Sequence, residues 1–274
     1  MIDTHTHLHY TGRLPDEVRG ITAEQLVDTM NRRGIDKSVL LPMESPEYTT
    51  GYCLTEWAIE AAERYPERLI PFLHFDPRKP RCLDLIDHFA KHVLVRGFGE
   101  FVDGLYFDDP LRMRIYGKCG ELGFPVVFYG SGHTSLDEVG LPRLEKCLKE
   151  FPDTIFIGHG PRWWNAISAD DDASCSYPDG PVVPGGAGDR FMQEYDNMYA
   201  DISAGSGYNA MTRDREFTQG FIQRNWSKIL FATDYLSVGH EVGHVEWMLE
   251  TPMAEEHRQA IMEGNARRIL HLDE

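Results

Sequence analysis

Met1-Ile2-Asp3-Thr4-His5-Thr6-His7 opens the chain. Residues 2–7 read as a strand that ends in two histidines one residue apart. Side chains two apart on a strand share a face, so the two imidazoles converge on one point. Neutral imidazole is a good ligand for zinc and its transition-series neighbours. The spacing predicts a metal site at the end of the first strand of whatever sheet follows.

The rest of the chain supplies that sheet. Short apolar or β-branched runs recur at residues 37–42, 69–75, 95–101, 125–130, 154–160, 198–203 and 229–235. Several are continuously apolar, as buried parallel strands are. Amphipathic helical patterns alternate with them near residues 22–33, 52–65, 81–92, 110–122, 141–151, 212–225 and 241–249. Thr22-Ala23-Glu24-Gln25 has the form of a capping box, and Gly34 stands where that helix should stop. Thr251-Pro252 reads as an N-cap followed by an N1 proline, and Gly264-Asn265 as a split between two terminal helices. Eight strand–helix units in 274 residues predict an α/β fold, a TIM-like (β/α)8 barrel of parallel strands. Residues 1–274 read as one such domain. The connection 161–197 after strand six is far longer than usual. It carries Trp163-Trp164, an acidic run and a Gly/Pro-rich stretch, with a short helix expected near 189–196. Its position predicts a lid or substrate wall.

Composition narrows the partners. The net charge is −17, which argues against nucleic acid or an anionic membrane, since both reward clustered Lys and Arg. A small-molecule substrate is expected instead. The five cysteines are odd in number and form no CxxC pair, so they read as reduced thiols of a cytoplasmic protein. No signal-peptide pattern and no run of about 20 apolar residues is present.

In a barrel, polar residues at the C-terminal strand ends carry the chemistry. These are His5 and His7, then Glu44, then His74 and Asp76, then Glu100. Strand five ends in Tyr129 with His133 beyond it, strand six in His159, strand seven in Asp201-Ile202-Ser203, and strand eight in Thr233-Asp234-Tyr235.

The pattern resembles the amidohydrolase superfamily, in its amidohydrolase-related branch of metal-dependent hydrolases and decarboxylases. Ile2-Asp3-Thr4-His5-Thr6-His7 is similar to the branch's opening motif, residues 151–160 to its strand-six motif and residues 197–203 to strand seven. Residues 229–235 resemble strand eight, and 264–270 the closing helix. The resemblance runs over essentially the whole chain, with the motifs in order. It implies that His5 and His7 bind a divalent metal, that Asp234 is both ligand and catalytic base, and that His159 binds a second metal or orients the substrate. Glu100 lies where some members place a metal-bridging residue. The departure is strand five, where Tyr129 stands at or beside the usual histidine. His5, His7, Glu100 and Asp234 then make one full site for zinc, with manganese as the alternative, and a second metal is weak or absent.

The activity implied is hydrolysis of a small amide, lactone or ester. The alternative is non-hydrolytic decarboxylation of an aromatic or unsaturated acid, and a third reading is a barrel that binds without catalysis. A homodimer follows from the resemblance alone. His74 and His133 are equally readable as site lining or structure. Tyr129 could donate to a substrate oxygen or pack. Trp163 and Trp164 could stack on a substrate ring or anchor the long connection. Arg162 could hold a substrate carboxylate. Asp3 is expected to orient strand one, and Cys175 has no expected chemistry.

Overall fold

The computed structural model describes residues 1–8, 20–47 and 53–273. All eight expected strands are present: β1 Ile2–Thr6, β2 Lys37–Leu40, β3 Leu69–Pro71, β4 Phe98–Phe101, β5 Val126–Tyr129, β6 Phe156–His159, β7 Met198–Asp201 and β8 Ile229–Leu230. They pair in parallel as β1-β2-β3 and β4-β5-β6-β7-β8. Parallel bridges Leu73↔Phe98 and Thr6↔Tyr235 join the two groups at both edges. Backbone hydrogen bonds support the second seam: Thr4 N–H donates to Phe231 O at 3.0 Å, Asp234 N–H to His5 O at 2.8 Å and His7 N–H to Tyr235 O at 3.1 Å. The strands therefore follow one another around a ring, as the alternating pattern predicts.

Side-chain parity explains why the site lies at one end of that ring. Val127, Ile157, Tyr199 and Leu230 share an apolar cluster with Ile2, Val39 and Ile70, closed by Ala266, Ile269 and Leu270 of the last helix. Two residues further along the same strand faces come Tyr129, His159 and Asp201. The interior is thus apolar toward the N-terminal strand ends and polar toward the C-terminal ends. β1 and β4 each break register, between Asp3 and Thr6 and between Phe98 and Phe101. Such irregularities re-aim side chains. The break in β1 lets Ile2 join the apolar floor while His5 and His7, of opposite parity, join the polar end.

The helix signals hold in part. Thr22 and Gln25 make the reciprocal capping box, and Gly34 ends the helix Ala23–Arg33 in the left-handed region with φ 70°. The helix Pro110–Leu122 has its expected bounds, capped by Asp109. The expectation at 251–252 fails. The last helix begins at Glu255; Thr251 instead ends the preceding helix His244–Glu250, its N–H donating to Trp247 O, and Arg258 bonds the carbonyls of Met248 and Thr251. Gly264 does not split the terminal helices. The chain runs through a widened turn, Ala260–Gly264, into Asn265–Ile269. Ile261 O accepts there from Phe231 N–H at 3.0 Å, and Asn265 Nδ2 donates to Trp226 O and Ile229 O, so the turn ties to β8.

The helix expected over 212–225 is Arg215–Asn225, capped by Asp214, and a further helix not expected, Ala204–Thr212, comes first. Ala-Gly-Ser-Gly at 204–207 has poor helix propensity, which hid the first. Its Gly207 is required by space, since a Cβ there would lie 2.3 Å from the backbone of Ile202. Gly207→Ala is expected to destabilise the fold by about 1–3 kcal/mol through overpacking, read as a lowered urea midpoint at unchanged slope.

Candidate metal centre

His5 is fully buried, and its ring is fixed from behind. Its Nδ1 donates to Asp201 Oδ2 at 2.8 Å, and an ionised carboxylate can only accept. His7 Nδ1 donates to Leu41 O at 2.8 Å. In its neutral form each ring would present Nε2 as a lone pair, and the two Nε2 atoms lie 3.1 Å apart. Two nitrogens approach that closely when they share a proton or a metal ion. Donors about 2.1 Å from one ion and 90–109° apart lie about 3.0–3.4 Å from each other.

Two carboxylates complete the ring. Asp234 Oδ1 is 3.3 Å from His7 Nε2 and 3.8 Å from His5 Nε2. Glu100 Oε1 is 3.7 Å from His5 Nε2, and its Oε2 is 3.7 Å from His7 Nε2. Glu100 Oε1 also lies 3.5 Å from His159 Nε2, so the carboxylate spans both groups of rings. His5, His7 and Glu100 are mutually placed to hold one ion. His5, His159 and Asp201 also cluster, but Asp201 meets both rings at Nδ1. We read Asp201 as the carboxylate that orients the donors rather than as a donor.

Electrostatics agree with a missing positive charge. Burial alone would depress the His5 pKa, yet the charges of Asp201 and Glu100 outweigh it and hold the pKa well above the ordinary histidine value. Burial alone would raise Glu100, Asp234 and Asp201. The neighbouring histidines overcome it and hold all three below the usual carboxylate range. The buried cluster keeps three anions and asks for a cation.

Other residues support this arrangement. His159 Nδ1 lies 3.0 Å from Asp201 Oδ1 and 2.8 Å from Ser203 Oγ, whose hydroxyl donates to Asp201. Trp164 Nε1 donates to Asp201 O at 3.1 Å. Asp3 accepts from Thr233 N–H, Thr233 Oγ1 and His5 N–H, joining β1 to the residue before Asp234. Asp234 itself sits at φ 61°, in the left-handed region. The donors face a cavity of about 160 Å³, lined also by Tyr129, Pro161, Tyr177, Ser206 and Leu236.

The residues expected to meet do so: His5, His7, Glu100, His159 and Asp234 converge. Tyr129 lines the cavity beside His159, with ring centroids 5.5 Å apart. His133 is exposed and supplies no donor. His74 is buried behind Phe98 and Phe101, accepting from Glu44 N–H at 3.0 Å, and burial pushes its pKa down to about 4. Glu44 pairs with Lys79, and Asp76 with Arg78. Arg162 pairs with Asp171 of the long connection. Trp163 and Trp164 are fully buried, so they anchor that connection and leave no face for a substrate. Tyr177 is its contribution to the cavity wall. Asp201 and Ser203 were visible only as strand-end polar residues, and Ser206 carried no signal. Cys175 is exposed, and the five cysteines are unpaired.

A protein-family model for the amidohydrolases matches residues 2–272, and the chain belongs to that family. No curated protein is significantly similar in sequence. Solved structures match throughout. A TIM-barrel protein of uncharacterised function from Bordetella bronchiseptica is 16% identical, covering 99% of each chain with a TM-score of 0.70. A probable 2-pyrone-4,6-dicarboxylic acid hydrolase from Acinetobacter baumannii is 11% identical, covering 98% of each chain with a TM-score of 0.65. A 5-carboxyvanillate decarboxylase from Novosphingobium aromaticivorans DSM 12444, complexed with manganese, is 16% identical. It covers 98% of this chain and 95% of its own, with a TM-score of 0.64. The TIM-barrel fold is thereby shared, and the donor set here suits a divalent ion. Among the described residues, no helix is long and apolar enough to cross a membrane.

Proposed function

We propose that this protein is a metal-dependent hydrolase of a small-molecule amide, lactone or ester. The observation that supports this reading is the 3.1 Å approach of the His5 and His7 Nε2 atoms, ringed by Glu100 and Asp234. These four residues would hold one divalent ion, zinc first and manganese as the alternative. Such an ion, when bound, polarises a carbonyl and acidifies water. Asp234 has the most exposed carboxylate of the three, at 14%, against 5% for Glu100 and 0% for Asp201. It is placed to take a proton from the attacking water and return it to the leaving group. With Nδ1–H turned to Asp201 and Ser203, a neutral His159 offers Nε2 as an acceptor. That favours ligation or proton acceptance over donation to an oxyanion. Tyr129 in place of a strand-five histidine leaves a second ion one donor short.

Decarboxylation of an aromatic acid is the second reading. The aromatic cavity wall of Tyr129 and Tyr177 favours it, as does the chemistry of the manganese-holding decarboxylase of like fold.

Elemental analysis of the purified protein, beside a His5→Ala/His7→Ala double variant, tests the metal. About one zinc or manganese per chain, lost in the variant, is expected. No metal after reconstitution overturns both readings. With turnover in hand, ¹⁸O from water appearing in the product supports hydrolysis. Carbon dioxide released without it selects the decarboxylase.

A further inference from the structure

Tyr177 reaches the cavity from the long connection, and its backbone is held on both sides. Asn165 Nδ2 donates to Cys175 O on one side, and Asn209 Nδ2 donates to Pro178 O at 3.1 Å on the other. Pro178 also restricts the residue before it to extended backbone. Further back, Ala169 N–H donates to Val183 O at 2.8 Å and Val182 N–H to Asp214 Oδ2 at 3.0 Å, which closes the connection at its base. The Tyr177 ring lies against the first turn of the helix Ala204–Thr212. A Cβ added to Gly205 would meet its Cε1 at 3.4 Å and its Oη at 3.8 Å.

The same connection packs the rings of Trp163 and Trp164 fully inside the protein. Tyr177 stays 54% exposed, and of the ten described residues that line the cavity it alone is exposed. Its ring therefore stands at the mouth, fixed by its backbone and open to what enters. His7, Glu100 and His159 line the same cavity from buried positions, so the donors lie deeper than the ring. Size limits the occupant. The cavity of about 160 Å³ is close to the ~150 Å³ that takes up one benzene molecule. A planar unsaturated ring gains from an aromatic neighbour beyond the area it buries, and a saturated ring of equal size does not.

We propose that Tyr177 is a specificity-determining residue, the platform on which a single planar, unsaturated ring of the substrate packs while its reacting group points to the donors. This rests on reading the cavity as a metal-dependent active site, and it holds for hydrolysis and decarboxylation alike. The stacking role that the sequence offers to Trp163 and Trp164 passes to Tyr177.

The test is calorimetric titration of benzohydroxamate and cyclohexanecarbohydroxamate into metal-reconstituted protein, with metal content measured on each sample. The hydroxamate head chelates a divalent ion in both, so the probes differ in the ring alone. The saturated ring is the more apolar, so burial by itself gives benzohydroxamate no advantage. Benzohydroxamate is expected to bind the unaltered protein more tightly by about two- to tenfold, the worth of an aromatic pair beyond its buried area. Tyr177→Ala should abolish that preference at equal metal content. Tyr177→Phe, which keeps the ring and loses the hydroxyl, should retain it. Equal affinity of the two probes for the unaltered protein overturns the platform, as does a preference that survives Tyr177→Ala or is lost in Tyr177→Phe. Each of those results leaves a metal-loaded cavity that holds the hydroxamate head, and so leaves the metal reading standing. Protein that takes up no metal and binds neither probe overturns both.

Discussion

Asp234→Asn is expected to lower kcat by about 10²–10⁴ at saturating metal, the usual worth of a positioned proton-transfer group. Asparagine keeps the size and one carbonyl oxygen of the side chain, so a weak oxygen donor can remain where Asp234 Oδ1 lies, 3.3 Å from His7 Nε2. What asparagine cannot do is accept a proton from water and release it to a leaving group. Asp234 is suited to that task because it is held ionised: burial opposes its charge, but His7, His5 and His159 hold its pKa below the usual range. It also opens onto the cavity, whereas Asp201 is sealed behind the histidines. Metal content should be measured on the same sample. A stoichiometric ion with a collapsed kcat and little change in KM assigns the loss to proton transfer. Near-full turnover by the asparagine variant would remove Asp234 from the chemistry and move the base to His159.

The fold was legible because eight buried strands leave eight apolar runs, and because each run ends in the polar residue that faces the barrel mouth. His5, His7, Glu100, His159 and Asp234 stood among those strand-end residues, and the family resemblance singled them out. What could not be read depends on distance across the fold. Asp201 is one acidic residue at a strand end until β1, β6 and β7 bring it against rings 196 and 42 residues away. The helix Ala204–Thr212 was missed because its start is built for close approach to Ile202, not for helix propensity. Trp163 and Trp164 were open in sequence, since a buried anchor and a substrate platform use the same residue. At 251–252 the local cap signal was correct in form, but Thr251 closes the preceding helix His244–Glu250 and the next begins at Glu255. Tyr129 was readable as a departure, and its place beside His159 fixes the consequence: a wall where a donor is expected.

The second large effect is expected at Asp201, a residue that would touch neither ion nor substrate. Its two oxygens accept from His5 Nδ1 at 2.8 Å and His159 Nδ1 at 3.0 Å, and those bonds set the tautomer of both rings. In Asp201→Asn, one oxygen becomes an NH₂ donor. One ring must then turn Nδ1 into an acceptor, which places its proton on Nε2, the atom aimed into the site. A protonated Nε2 cannot ligate, so metal affinity should fall about 10–100-fold, as it does when the carboxylate behind a ligating histidine is lost. Asp201→Ala removes the buried partner of both rings and should add a stability loss of about 3–5 kcal/mol. Competition with a chromophoric chelator reads the affinity, and urea unfolding of metal-free protein reads the stability. The asparagine variant separates the two effects, because it preserves packing while breaking the tautomer lock. If it binds metal as tightly as the native protein, Asp201 does not set the donors, and the cluster of His5, His159 and Asp201 must be reconsidered as a second ion site in its own right.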